Sequence, residues 1–164
     1  METISLFDLS ITNTTLQQAV CLILKYLSGQ QPVHMYFINA HCINLSRRDP
    51  DYFRILQNGD YLFADGIGMQ LAALLHNCPL CENVNGTDMY PLLLDALEGS
   101  GYRIFLLGGD LGVTEAMQAR ALETHANLLF CGSHHGFFSP EENPSIVQRI
   151  RDTKPDLLLV AMGV

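Results

Sequence analysis

Apolar positions along this chain follow two rhythms. Short, mostly apolar runs stand at 33–38, Tyr61–Ala64, 103–107, 128–131 and 157–162, the lengths and composition of strands. Between them, apolar residues recur every three or four positions, the spacing of helices with one buried face. The first such stretch, from Leu16 to Leu24, follows the cap candidates Thr12, Asn13, Thr14 and Thr15, and Ser28-Gly29 closes it. Asn39-Ala40-His41 reads as a loop leading to a helix over 43–46. Asp49-Pro50 interrupts, and a second helix runs over 51–56. Further helices are predicted over 69–75, 88–97, 113–124 and 144–153. Asn58-Gly59-Asp60 is a turn, 76–86 a loop, and Gly108-Gly109-Asp110-Leu111-Gly112 a glycine-rich turn.

Strands that alternate with helices predict an α/β fold with a mostly parallel sheet and helices on both faces. The run at 157–162 has no polar position, so it reads as a strand buried on both faces. A length of 164 residues fits one domain, 1–164. The sequence given stops just after that last strand, at Gly163-Val164. Parallel strands need crossover helices, so the domain reads as truncated there, or as covered by something else.

Composition narrows the function classes. Hydrophobic residues are 48% and charged residues 16%, which excludes a disordered chain and predicts apolar surface beyond the core, hence a homo-oligomer. The net charge of −8 and the lack of a polybasic run exclude a nucleic-acid binder. Five scattered cysteines do not form a secreted disulfide framework, and Cys78-Pro-Leu-Cys81 lacks the second pair that a structural zinc site needs. The start, METISLFDLS, has no basic region followed by a long apolar one, and no apolar run approaches the ~18 residues of a membrane span.

In open parallel sheets, ligands bind beyond the carboxyl ends of the strands. The chemically distinctive residues stand there. Asn39 and His41 follow the strand at 33–38, and Asp65 and Gly66 follow Tyr61–Ala64. Gly108 and Gly109 follow 103–107, His134, His135 and Gly136 follow 128–131, and Gly163 follows the last strand. Asp65 is a candidate helix cap, metal ligand, ribose binder or catalytic base. The turn at Gly108-Gly109 suits a phosphate approached by backbone amides, but matches neither the P-loop nor G-x-G-x-x-G. Adjacent histidines on an extended segment point to opposite sides, so one of them is better placed for substrate than both for one metal. Asn85, Thr87 and Asp88 open a helix. Thr87 or Asp88 is the natural cap, and the group also suits sugar hydroxyls.

Six boxes sit in order: Asn39-Ala40, Asp65-Gly66-Ile67-Gly68, Val84-Asn85-Gly86-Thr87-Asp88, Phe105-Leu106-Leu107-Gly108-Gly109, Gly132-Ser133-His134-His135-Gly136-Phe137-Phe138 and Pro155-Asp156 with Val160-Ala161-Met162-Gly163. In this order and spacing the chain resembles the WecG/TagA/CpsF family of bacterial glycosyltransferases, from about Phe7 to Val164. The resemblance implies a Rossmann-like α/β domain. It implies transfer of N-acetylmannosamine, its uronic acid or a hexose from a UDP-sugar to a lipid-diphosphate-linked saccharide, with inversion and no required metal or other cofactor. It further implies a role in cell-surface polysaccharide synthesis, as a peripheral protein at the cytoplasmic face of the plasma membrane. Asp65 becomes the catalytic base. Asn39, His41, Gly66, Asn85, Thr87, Asp88, Gly108, Gly109, His134, His135, Gly136 and Gly163 become substrate-binding residues.

Two positions depart from the family pattern: Phe37 stands where many members carry Thr, and Asn83 where Arg is common. The family also continues past the final glycine, with a Pro-Lys-Gln-Glu-like box and an appendage linked to membrane attachment. Two rivals follow: a truncated relative that only binds UDP-sugar, and an NAD-type oxidoreductase. The missing G-x-G-x-x-G argues against the second.

Overall fold

The computed structural model describes residues 1–29 and 31–163, so Val164 of the final box lies outside the described residues. It is a mixed, Rossmann-like α/β fold. The described residues form two compact units, Met1–Leu93 and the chain from Leu94 onward.

The first unit opens with an antiparallel hairpin, β1 (Glu2–Leu6) and β2 (Leu9–Asn13). Alternation turns Leu6, Leu9 and Ile11 into the core. The two turn residues, Phe7 and Asp8, have φ of 59° and 62°. Positive φ at both central positions is the type I′ form of a two-residue hairpin turn, a need Asn-Gly usually meets. Phe-Asp carries no such signal, so periodicity does not predict this hairpin.

Helix α1 (Leu16–Leu27) follows, with Thr15 as its cap in a reciprocal box with Gln18. Strand β3 (Met35–Ile38) pairs in parallel with β4 (Tyr61–Ala64), from Met35↔Tyr61 to Ile38↔Ala64. The crossover between them holds α2 (Ala40–Ser46) and α3 (Pro50–Gln57). The expected loop at Asn39-Ala40-His41 is instead the start of α2. Asn39 Oδ1 accepts the N–H groups of His41 at 2.9 Å and Cys42 at 3.1 Å, and this capping lets the helix begin at Ala40. Asp49 caps α3 likewise, with Pro50 in the first turn, where a missing N–H costs nothing. The core gathers Leu6, Leu9, Ile11, Ile38, Leu56 and Leu62 around Met69 and Ala73 of α4 (Ile67–Leu75). Helix α5 (Gly86–Leu97) crosses the boundary between the units.

The second unit carries a three-stranded parallel sheet in the order β6 (Leu129–His134), β5 (Arg103–Gly108), β7 (Leu157–Ala161). Central β5 is buried through Ile104, Phe105 and Leu106. Helix α6 (Val113–Thr124) links β5 to β6. A 3-10 turn (Pro140–Glu142) and α7 (Asn143–Thr153) link β6 to β7. β6 runs three residues beyond the apolar run that announces it, because Gly132, Ser133 and His134 keep pairing with Phe105, Leu106 and Leu107.

β7 is not buried on both faces. It is an edge strand, and its alternate residues Leu158 and Val160 are 40% and 57% exposed. A purely apolar run satisfies both readings, so only packing distinguishes a central strand from an edge one. Among the described residues, no helix is long and apolar enough to cross a membrane.

Candidate functional site

In the first unit, the strand-to-helix turn at the end of β4 holds the candidate base, Asp65. β3 and β4 end level, and Asp65 continues their pairing by donating its N–H to the Ile38 carbonyl at 2.8 Å. Gly66 then takes φ 90° and ψ 160°, a conformation that side chains rarely adopt, and α4 begins at the next residue. The turn is pinned from a distant part of the chain. Asn83 Oδ1 accepts the Gly66 N–H at 2.5 Å, and Val84 donates to the Ala64 carbonyl at 3.0 Å.

Asp65 caps nothing, since no side chain caps α4. Its carboxylate is half-buried and makes none of the protein hydrogen bonds found among the described residues. Burial raises its pKa above the ordinary carboxylate value, and the negative charge of Asp88 raises it further. A half-buried, unpaired carboxylate with a raised pKa is suited to receive a proton.

Asp88 owes its position to Asn85. Asn85 Oδ1 accepts the Asp88 N–H at 2.8 Å, and Asn85 Nδ2 donates to Asp88 Oδ2 at 2.6 Å. The cap of α5 is therefore Asn85, not Thr87 or Asp88, because the helix starts one residue after it. Thr87 is exposed in the first turn, and His41 is exposed on α2. Asn39 is half-buried where β3 ends, and its carbonyl oxygen is committed to capping α2.

In the second unit, two glycines shape the end of β5. Gly108 has φ 142°, and a Cβ on it would stand 2.1 Å from the Ala161 carbonyl oxygen. Gly109 has φ 65°, donates its N–H to that oxygen at 3.2 Å and accepts the Gly136 N–H at 2.8 Å. The tight packing of β7 accounts for Gly108, while a Cβ on Gly109 would stand 2.9 Å from the Val113 side chain. The Gly109 amide is committed within the protein. Gly136 is similarly constrained, its Cβ position lying 3.0 Å from Gly108 Cα. Gly163 is exposed at φ 76°.

His134 and His135 do not diverge. Their rings lie 4.4 Å apart at 33°, because His134 is the last residue of β6 and the strand alternation ends with it. His134 Nδ1 stands 2.8 Å from the His135 carbonyl, which can only accept, so Nδ1 carries a proton and donates it there. Phe138 packs edge-on against the His134 ring.

Two residues of these surroundings, Asn83 and Glu115, are not among the site residues expected from the sequence. Asn83 holds the Gly66 turn. Glu115, in the first turn of α6, accepts from Thr114 Oγ1 at 3.0 Å and from buried Ser133 Oγ at 3.4 Å. Its pKa is lowered, first by a backbone hydrogen bond, then by Thr114 and Ser133, with a smaller contribution from His135. The signal available for Glu115 was an acid in the first turn of a helix after a glycine-rich turn. A lone residue of that kind is far more often a cap than a ligand.

Known proteins resemble this chain over almost its whole length. Proteins of Staphylococcus aureus strains NCTC 8325 / PS 47 and MRSA252, each named N-acetylglucosaminyldiphosphoundecaprenol N-acetyl-beta-D-mannosaminyltransferase, are both 26% identical to it over 162 residues. The match takes in 98% of this chain but 63% of each relative, so the chain spans just under two thirds of their length. The model of the Glycosyl transferase WecG/TagA/CpsF family matches residues 4–164, and the chain belongs to that family.

Proposed function

We propose that this protein is an inverting glycosyltransferase that moves a sugar from a UDP-sugar to a lipid-diphosphate-linked saccharide. The observation that carries the reading is Asp65: an unpaired, half-buried carboxylate on a strained turn, with its pKa raised by burial and by Asp88. Asp65 takes the proton of the acceptor hydroxyl as that oxygen attacks the anomeric carbon. The bond from that carbon to the β-phosphate oxygen breaks, and UDP leaves with the electron pair. One base and one displacement invert the anomeric centre.

Asn83 acts as a positioning residue by holding Gly66, and hence the direction of Asp65. Asn39, His41, Asn85, Thr87 and Asp88 supply hydrogen-bonding groups to the sugars. The second unit has its own candidate nucleotide-binding residues, His134, His135, Gly108, Gly109, Gly136 and Gly163. The Gly109 amide is already used, so phosphate contacts there fall to the histidines and to later amides of the turn. The donor is N-acetylmannosamine in the S. aureus relatives by their name, and the same donor class, an acetamido sugar, is proposed here. The reaction runs at the inner face of the plasma membrane, without a metal.

The test is transfer by the full-length protein from a panel of UDP-sugars to N-acetylglucosaminyl diphosphoundecaprenol, with the product's anomeric configuration read by NMR. Transfer from an acetamido sugar, with inversion, is expected. Retention would remove the single-displacement mechanism. No transfer from any donor in the panel would remove the reading.

A further inference from the structure

Helix α4 turns Met69 and Ala73 into the core, both fully buried. A helix with one face so occupied normally presents charged and polar residues on the other. α4 does not. Ile67, Leu71, Leu74 and Leu75, spaced i, i+4, i+7 and i+8, are 79%, 55%, 62% and 74% exposed. None of the nine residues of the helix is charged. A contiguous exposed apolar stripe marks an interaction surface.

The stripe has a fixed relation to the proposed base. It begins two residues after Asp65 and runs away from it for about 12 Å, the rise of eight helical residues. An acceptor whose hydroxyl reaches Asp65 carries its diphosphate and lipid away from that point. A neutral, unbroken apolar face suits the lipid and not the diphosphate. The area also decides against a second copy of the chain. A stable protein interface takes about 800 Å² and some 20 to 30 residues per partner. Four side chains fall well short of that, but match one hydrocarbon chain.

We propose that the outward face of α4 docks the diphosphate-proximal isoprenoid units of the acceptor. This rests on the transferase reading for the identity of the lipid. The stripe itself is independent of that reading, and the test separates the two. Leu71→Gln/Leu74→Gln removes apolar surface while keeping helix propensity nearly unchanged. Binding of the full-length protein to phosphatidylcholine vesicles is measured with and without undecaprenyl diphosphate. Transfer to the undecaprenyl acceptor is measured beside transfer to a water-soluble short-alkyl analogue.

The parent is expected to prefer vesicles carrying undecaprenyl diphosphate, and the variant to lose about tenfold of that binding. The variant's KM for the long-chain acceptor should rise about tenfold, with kcat/KM for the short-chain acceptor unchanged. Equal vesicle binding by variant and parent overturns the proposal. So does equal parental binding to plain vesicles, which makes the face a general membrane contact. A parental dimer that the variant dissolves also overturns it, because the occupant is then a second copy. If the double variant fails to fold, Leu75→Gln alone carries the same test. Loss of vesicle binding by the variant, with no transfer by the parent to either acceptor, removes the transferase reading and leaves the lipid site standing.

Discussion

Asp65 and Asp88 are held at neighbouring turns by two asparagines, Asn83 and Asn85. The negative charge of Asp88 is one of the two causes of the raised Asp65 pKa. Removing it leaves only burial, so in Asp88→Asn the Asp65 pKa falls. The acidic limb of the pH profile of kcat/KM, where the base becomes protonated, should then move to lower pH. A limb that stays in place, or moves up, would mean that Asp65 does not set it. Asp65 has a stability consequence of its own. A carboxyl whose pKa is higher folded than unfolded favours folding most below its unfolded pKa, and that contribution disappears as pH rises through the folded value. At neutral pH ionised Asp65 therefore opposes folding, and Asp65→Asn should raise Tm. Although a helix cap was an equally open reading until the family resemblance pointed to a base, at this scale the acid was legible as a candidate, because it stands at a strand exit before a glycine. Asn83 was not, because its partner, the Gly66 amide, is 17 residues away and no local pattern encodes that contact.

Elements with strong periodicity were predicted to within a few residues: α1, β4, α6 and β5. Those that went astray were decided by something outside their own pattern. The hairpin β1–β2 turns on two non-glycine residues with positive φ. Helix α2 begins early because Asn39 caps it. β6 continues past its apolar run because β5 offers it partners. β7 is apolar throughout yet half exposed, since its place at the sheet edge is a property of the sheet order. The same sheet makes Gly108 the least replaceable residue of the glycine-rich turn. Gly108→Ala would place a Cβ 2.1 Å from a backbone oxygen at φ 142°. Strained backbone costs about 1–3 kcal/mol and overpacking a similar amount. With ~1 kcal/mol worth about 2–4 °C at this chain length, thermal unfolding should show Tm lowered by at least several degrees. Gly112→Ala meets nothing within 4 Å, although φ is 87°, so it should cost clearly less. Equal losses at the two positions would remove the packing explanation.

For the whole molecule, the family was legible because six boxes stand in order along nearly the whole chain, and the family model matches residues 4–164. No single box carries that weight. The glycines at Gly108 and Gly109 are explained by packing, and Asn39 and Asn85 each cap a helix. Asp65 differs from these: among the described residues its half-buried side chain makes no protein hydrogen bond and caps no helix. The central claim is therefore tested most directly at that residue. Asp65→Asn keeps the shape and cannot accept a proton. In the full-length protein, UDP-sugar turnover onto the lipid-linked acceptor is compared with the parent, alongside UDP binding and Tm. Turnover should fall about 10²- to 10⁴-fold, the usual contribution of a general base, with UDP affinity nearly unchanged and Tm not lowered. Turnover within a few-fold of the parent would contradict the account and take Asp65 out of the chemistry.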